Sequence, residues 1–117
     1  GKPRSPVHAF EMLTQLSGKR HEVWTGFCIY REMEKMTVCR SVKTTVFFLE
    51  STQQILKSYV ATSEPLDKAG AYGIQGKGGV LVERIEGSYS NVVGLPLSQV
   101  VRELLALKII VPSAGNL

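Results

Sequence analysis

HEVWTGFCIYR (residues 21–31) and MTVCRSVKTTVFF (residues 36–48) are the two runs on which the fold turns. Both are rich in β-branched and aromatic residues, and both read as strands. In the second, Met36, Val38, Val42, Val46 and Phe48 share one face, with Arg40 and Thr44 between them. Glu32, Met33, Glu34 and Lys35 link the runs as a polar turn, so the spacing predicts an antiparallel hairpin. Cys28 and Cys39 fall one in each strand, within apolar surroundings, and are expected to be two buried free thiols in a reducing compartment. Trp24 is expected in the core or at an interface. Thr25-Gly26, a hydroxyl beside a glycine within a strand, hints at close approach of backbone or ligand.

Helical spacing flanks this hairpin on both sides. Upstream, Ser5 reads as an N-cap and Pro6 as the first helical position. Val7, Phe10, Leu13 and Leu16 then mark the buried face of a helix over residues 5–16, with Ala9 and Met12 beside them and Gly18 ending it. His8 on this helix reads as a surface residue. Downstream, Ser51 or Thr52 caps a helix over residues 51–62, whose apolar positions are Ile55, Leu56, Tyr59 and Val60. A glycine-rich segment (residues 63–79) follows, then a short strand over residues 80–85 and a loop or single turn over residues 87–94. Pro96 opens a last helix with Leu97, Val100, Val101, Leu104 and Leu105 on its buried face. Residues 111–117 read as a frayed tail. The order α-β-β-α-β-α predicts an α+β or mixed-sheet α/β fold.

Composition narrows the class. The chain has 117 residues, 44% hydrophobic and 21% charged, with a net charge of +4. Such a chain buries a core and is not chiefly disordered. Its apolar runs are far shorter than the ~20 residues of a membrane-spanning helix. Two cysteines do not make a disulfide scaffold. The Lys and Arg residues are dispersed, which fits an anionic small ligand better than a nucleic acid.

The segment EPLDKAGAYGIQGKGG (residues 64–79) carries the most chemistry. Glycines let backbone N–H groups approach an anion, and Lys68 and Lys77 add ammonium groups, a combination suited to phosphate. Glu64 and Asp67 are three apart, on one side of a helical turn, where a carboxylate pair can hold a divalent cation that in turn holds phosphates. Gln75 offers a donor and an acceptor to a base edge. The opposing reading is a structural turn in which Glu64 is a cap and Asp67 a solvated acid. Neither the Walker phosphate loop nor the dinucleotide-binding glycine pattern is present. His8 and His21 lack metal-ligand partners at helical spacing, and no nucleophile motif occurs.

Taken with Gly1-Lys2-Pro3, LTQLSG (residues 13–18), HEVWTG (residues 21–26) and GSYSNVVGLPL (residues 87–97), the block DKAGAYGIQG (residues 67–76) resembles the Maf family of nucleoside triphosphate pyrophosphatases, in order and spacing along nearly the whole chain. It is most similar to the branch acting on dTTP and UTP. The resemblance implies hydrolysis of a nucleoside triphosphate between its α and β phosphates, giving the monophosphate and pyrophosphate. It implies a divalent metal, Mg2+ or Mn2+, a homodimer, a cytoplasmic location, and the α/β fold shared with inosine triphosphate pyrophosphatases. No nucleic-acid or membrane partner is expected. By resemblance, Lys2 lines the phosphate site, Gln75 sets nucleobase choice, and Glu64, Asp67 and Lys68 lie beside the cleft near substrate or metal.

The family's Ser-x-Ser-Pro-Arg-Arg loop and its Ala-Asp-Thr motif, whose aspartate is the expected catalytic base, are not among these residues. The expectation is therefore a single Maf-like domain over residues 1–117, lacking its N-terminal part and inactive by itself, from a parent enzyme. The alternative is a non-catalytic Maf-like protein that binds nucleotide or acts in septum formation and cell division.

Overall fold

A computed structural model describes residues 1–111; the tail expected over residues 111–117 lies outside the described residues apart from Val111. Helix α1 (Pro6–Leu16) starts where the sequence puts it: the Ser5 side chain accepts from the His8 backbone N–H, and Pro6 occupies the first turn. Gly18 follows in the left-handed region at φ 71°, as the close of the helix requires. Strands β1 (Arg20–Arg31) and β2 (Met36–Phe48) form the expected hairpin, in unbroken antiparallel register from Arg20↔Phe47 to Arg31↔Met36. Helix α2 (Gln53–Val60) is capped by Thr52, whose hydroxyl accepts from the Ile55 N–H. Strand β3 (Val82–Glu86) pairs antiparallel with the last residues of β2, giving a sheet of order β1-β2-β3. Two further helices, α3 (Tyr89–Val93) and α4 (Leu97–Ala106), complete the described chain. Helices and sheet alternate as the α/β reading requires, and the three strands of this chain pair antiparallel throughout.

The core lies at one end of the molecule. Ala9 and Leu13 of α1, Val46 and Phe48 of β2, Leu56 and Tyr59 of α2, Ala71 and Leu81 are all buried there. The other end of the hairpin has no such partner. Four expectations fail for that reason or for local ones. Val7 is 68% exposed at the first turn of α1, on the rim of an open groove that it lines with Phe10 and with Lys57 and Val60 of α2. Helix α4 buries no residue fully: it lies beside the outer hairpin, joined to it by Arg40–Glu103 at 3.0 Å and by Arg31, which donates to the Leu107 carbonyl at 2.6 Å. Trp24 is 61% exposed on the outer sheet face, under the Lys43 ammonium and beside Glu22. Cys28 and Cys39 are neither buried nor free. They oppose each other across the hairpin on its exposed face and are joined in a disulfide.

Candidate functional site

A cleft of about 720 Å³ opens beside the core, within the ~300–1,000 Å³ typical of small-molecule sites. Its floor is the start of β1, where the strand alternation turns His21, Val23 and Thr25 to one side. One wall is the glycine-rich segment from Glu64 to Gly76; the other is the α3 stretch from Asn91 to Gly94. Four of the residues singled out in the sequence (Glu64, Asp67, Lys68 and Gln75) come together in this lining. Lys2 is not among the lining residues. Its neighbour Gly1 is tied to the same segment, however, since the Gly1 carbonyl accepts from the Gly70 N–H at 3.2 Å.

The glycine-rich wall is a succession of 3-10 turns (Glu64–Asp67, Ala69–Ala71 and Lys77–Leu81), each too short to propagate. Gly70 and the buried Ala71 both take positive φ, 80° and 72°. Positive φ is costly for alanine, about 1–2 kcal/mol, and such strain tends to collect where a backbone path serves a ligand. Gly73 has a plainer role. A Cβ there would stand 3.1 Å from Cε of Lys68, so the glycine leaves room for the lysine stem to cross the wall.

Glu64 is the most engaged carboxylate of the site. Its carboxylate accepts from the Tyr59 hydroxyl and from the backbone N–H groups of Lys77 at 3.1 Å and Gly78 at 3.0 Å. The Tyr59 hydrogen bond, the two backbone donors and the Lys68 ammonium together hold its pKa below the usual carboxylate value, outweighing its desolvation. Burial and the same carboxylate push the Tyr59 hydroxyl well above its ordinary value. Glu22, also in the lining, is offset by Lys43 at 3.5 Å and by the Trp24 indole N–H at 3.3 Å. Asp67 is exposed and has no hydrogen bond or ion pair among the described residues. Lys68 and Gln75 are likewise exposed at the cleft.

Two residues absent from the sequence-based site shape the cleft, His21 in its floor and Asn91 in its wall. His21 Nε2 is 2.7 Å from the Tyr72 hydroxyl, and its ring stands edge-on to Phe48 and Tyr72 at 5.2 and 5.5 Å. Burial lowers its pKa and raises that of Tyr72 to about 12, so both are neutral at pH 7. Asn91 is buried, and its Nδ2 donates to the carbonyls of Val23 and Val42 and to the Thr44 hydroxyl. That amide fastens the α3 wall to both strands of the hairpin. In the sequence His21 is a strand residue without a ligand partner and Asn91 a loop polar residue; only strand pairing brings their partners to them.

Among the described residues, no three of His, Cys, Asp and Glu converge to hold a metal ion. A Mg2+ bound chiefly by substrate phosphates needs only one or two protein carboxylates. Asp67 fits that part. Glu64 is the less available of the two, because three donors already engage its oxygens.

The chain is similar to known proteins over most of its length. A family model described as Maf-like protein matches residues 1–107. A dTTP/UTP pyrophosphatase of Desulfotalea psychrophila is 50% identical over 110 residues, covering 94% of this chain and 56% of that protein. Proteins of the same name from Bacillus cereus and Bacillus anthracis are 50% identical over 114 residues, covering 97% of this chain and 59% of theirs. The chain thus spans somewhat over half the length of these relatives. Since the matched family model runs through hairpin, cleft and α4 alike, the chain belongs to the Maf family.

Proposed function

We propose that the protein carrying this chain hydrolyses dTTP and UTP to the monophosphate and pyrophosphate, and that residues 1–111 supply the base-facing wall and part of the phosphate-facing wall of its active site. The observation that carries this is the convergence of Asp67, Lys68 and Gln75 on one cleft of nucleotide size, in a chain half identical to proteins named for that activity. Gln75 presents an amide, whose donor and acceptor complement O4 and N3–H of a keto pyrimidine. Lys68 faces the cleft with an ammonium suited to phosphate oxygens. Lys2 belongs to the phosphate end in this reading, supported by the Gly1–Gly70 hydrogen bond that brings its neighbour to the glycine-rich wall.

A divalent metal, Mg2+ or Mn2+, would be held with the help of Asp67 and would neutralise phosphate charge when bound. In this reading residues 1–111 bind and orient the substrate, and the proton acceptor is the aspartate expected from the family's Ala-Asp-Thr motif. A cytoplasmic homodimer belongs to the same reading, and the exposed sheet face bearing Trp24 and Tyr30 supports a partner surface.

Pyrophosphate release from dTTP, UTP, CTP and GTP, measured on the full-length protein, tests the proposal. Release is expected from dTTP and UTP. Gln75→Ala should lower the preference for them over GTP by roughly tenfold, and Lys2→Ala should lower kcat/KM for every substrate. A full-length protein that binds these nucleotides without releasing pyrophosphate would instead support the non-catalytic alternative.

A further inference from the structure

Gln75 sits in the middle of the stretch from Gly73 to Gly78, and both ends of that stretch are tied to the same pair of side chains. At one end the Gly73 N–H donates to the Tyr59 hydroxyl oxygen at 3.1 Å. At the other the Lys77 and Gly78 N–H groups donate to Oε1 and Oε2 of Glu64 at 3.1 and 3.0 Å. The Tyr59 hydroxyl closes the circuit by donating to Glu64 Oε2. Tyr59 is held by the core, at 4% exposure on α2. The glycines are what let the loop reach this pair. A Cβ on Gly76 would fall 1.9 Å from Glu64 Oε1, and one on Gly78 would fall 2.5 Å from the Tyr59 hydroxyl oxygen.

We propose that Tyr59 and Glu64 form a clamp that positions Gln75, making them positioning residues for nucleobase selection. The inference rests on the reading of Gln75 as the base-facing amide. A loop with glycines at 73, 76, 78 and 79 is intrinsically free, and an exposed amide on it would have to be ordered each time a base arrived. The clamp orders the loop beforehand. Its acceptor is a carboxylate, which makes the stronger, charge-assisted kind of hydrogen bond, and its donor hydroxyl is anchored in the buried core. Discrimination between bases needs the amide held to a fraction of an ångström, so a slack loop should cost selectivity before it costs folding.

The experiment is a double-mutant cycle in the full-length protein, with kcat and KM measured for dTTP, UTP, CTP and GTP. Tyr59→Phe and Glu64→Gln are each expected to lower the dTTP and UTP preference over GTP by roughly three- to tenfold, mainly through KM, with thermal melts confirming a folded protein. Tyr59→Phe combined with Gln75→Ala should lower that preference no further than Gln75→Ala alone, because the clamp acts only through the amide. Should Tyr59→Phe fail to fold, Glu64→Gln combined with Gln75→Ala provides the same cycle. Equal losses on all four substrates, or clamp and Gln75 effects that simply add, overturn the clamp while leaving the base reading intact. A Gln75→Ala variant with unchanged preference overturns the base reading and the clamp proposal together.

Discussion

Gly76 and Gly70 separate two reasons for a glycine, and the difference can be measured. Gly76 has an ordinary extended backbone, but a Cβ there would overlap the Glu64 carboxylate. Gly76→Ala must therefore displace that carboxylate from the Lys77 and Gly78 N–H groups, at a cost of about 2 kcal/mol or more for donors left unpaired. Gly70 has φ 80° and open space around it, so Gly70→Ala carries only the left-handed backbone penalty of about 1–2 kcal/mol. Urea unfolding should rank the two in that order; equal losses would remove Glu64 as the constraint on Gly76. The pKa shifts give a second test. Glu64 is depressed below 4.5 in the folded chain, so its contribution is present above that value and is lost as pH falls through the lower folded value. The stability difference between the native sequence and Glu64→Gln should accordingly shrink on acidification below pH 4.5. His21 is also depressed, from 6.5, so the unfolded chain binds more protons and stability falls as pH drops below 6.5, in both proteins alike. Gln75, Asp67 and Lys68 could be picked out in the sequence as candidates because exposed polar residues among glycines have few structural uses, and the fold brings all three to the cleft lining. The clamp could not: Tyr59 lies on the apolar stripe of a helix, and its hydroxyl acquires meaning only when Gly73 and Glu64 arrive.

At the scale of elements, the hairpin was legible because two runs rich in β-branched and aromatic residues flank a short polar turn, and their burial then alternates along β1 as a half-buried strand requires. Helix α1 was legible through Ser5-Pro6 and α2 through Thr52. Strand β3 begins at Val82, two residues later than its apolar run suggests, because Lys77–Leu81 wind into a 3-10 turn held at its start by Glu64. The cysteine pairing was not legible, since free thiols and a cross-strand disulfide have the same sequence and differ only in register. Cys28 and Cys39 are directly opposed. The disulfide closes a short loop, and loop-closure entropy assigns it about 3 kcal/mol of stability. Thiol titration of the unreduced, denatured chain should find none free, and reduction should lower the midpoint of urea unfolding; two titratable thiols would return the pair to the reading as free cysteines. Thr44 is the other element-scale join. Its buried hydroxyl accepts from the Ser88 N–H, donates to the Ser88 carbonyl and receives the Asn91 amide, fixing α3 to β2. Thr44→Val leaves those groups unpaired and should cost about 1–3 kcal/mol, with the cleft wall at Val92–Gly94 loosened; hydrogen exchange of those amides reads the loosening directly.

The whole molecule is long and thin for its size. Its Cα radius of gyration is 17.6 Å and its extents are 54 × 28 × 23 Å, whereas a compact chain of this length has a radius of about 13 Å. Its accessible surface is 7740 Å², against roughly 6,300 Å² for a typical monomer of this mass. Both excesses have the same origin. The hairpin runs some forty ångströms at ~3.3 Å per residue, while β3 pairs only with the end of β2 from Thr45 to Phe48. The outer part of the hairpin has α4 for company, and α4 buries no residue fully. Trp24, Tyr30 and Met33 are left 61%, 63% and 93% exposed along it, together with the unpaired edge of β1. Exposed apolar surface beside an open strand edge favours pairing with another chain. The 117-residue chain should therefore self-associate, with a sedimentation coefficient that rises with concentration and a melting midpoint that does the same, as mass action requires when association stabilises the fold. Trp24→Glu with Tyr30→Glu should suppress the association without disturbing the core, which contains neither residue. A concentration-independent monomer melting cooperatively well above ~60 °C would show that the core around Leu13, Val46 and Tyr59 suffices alone and that the outer hairpin needs no partner.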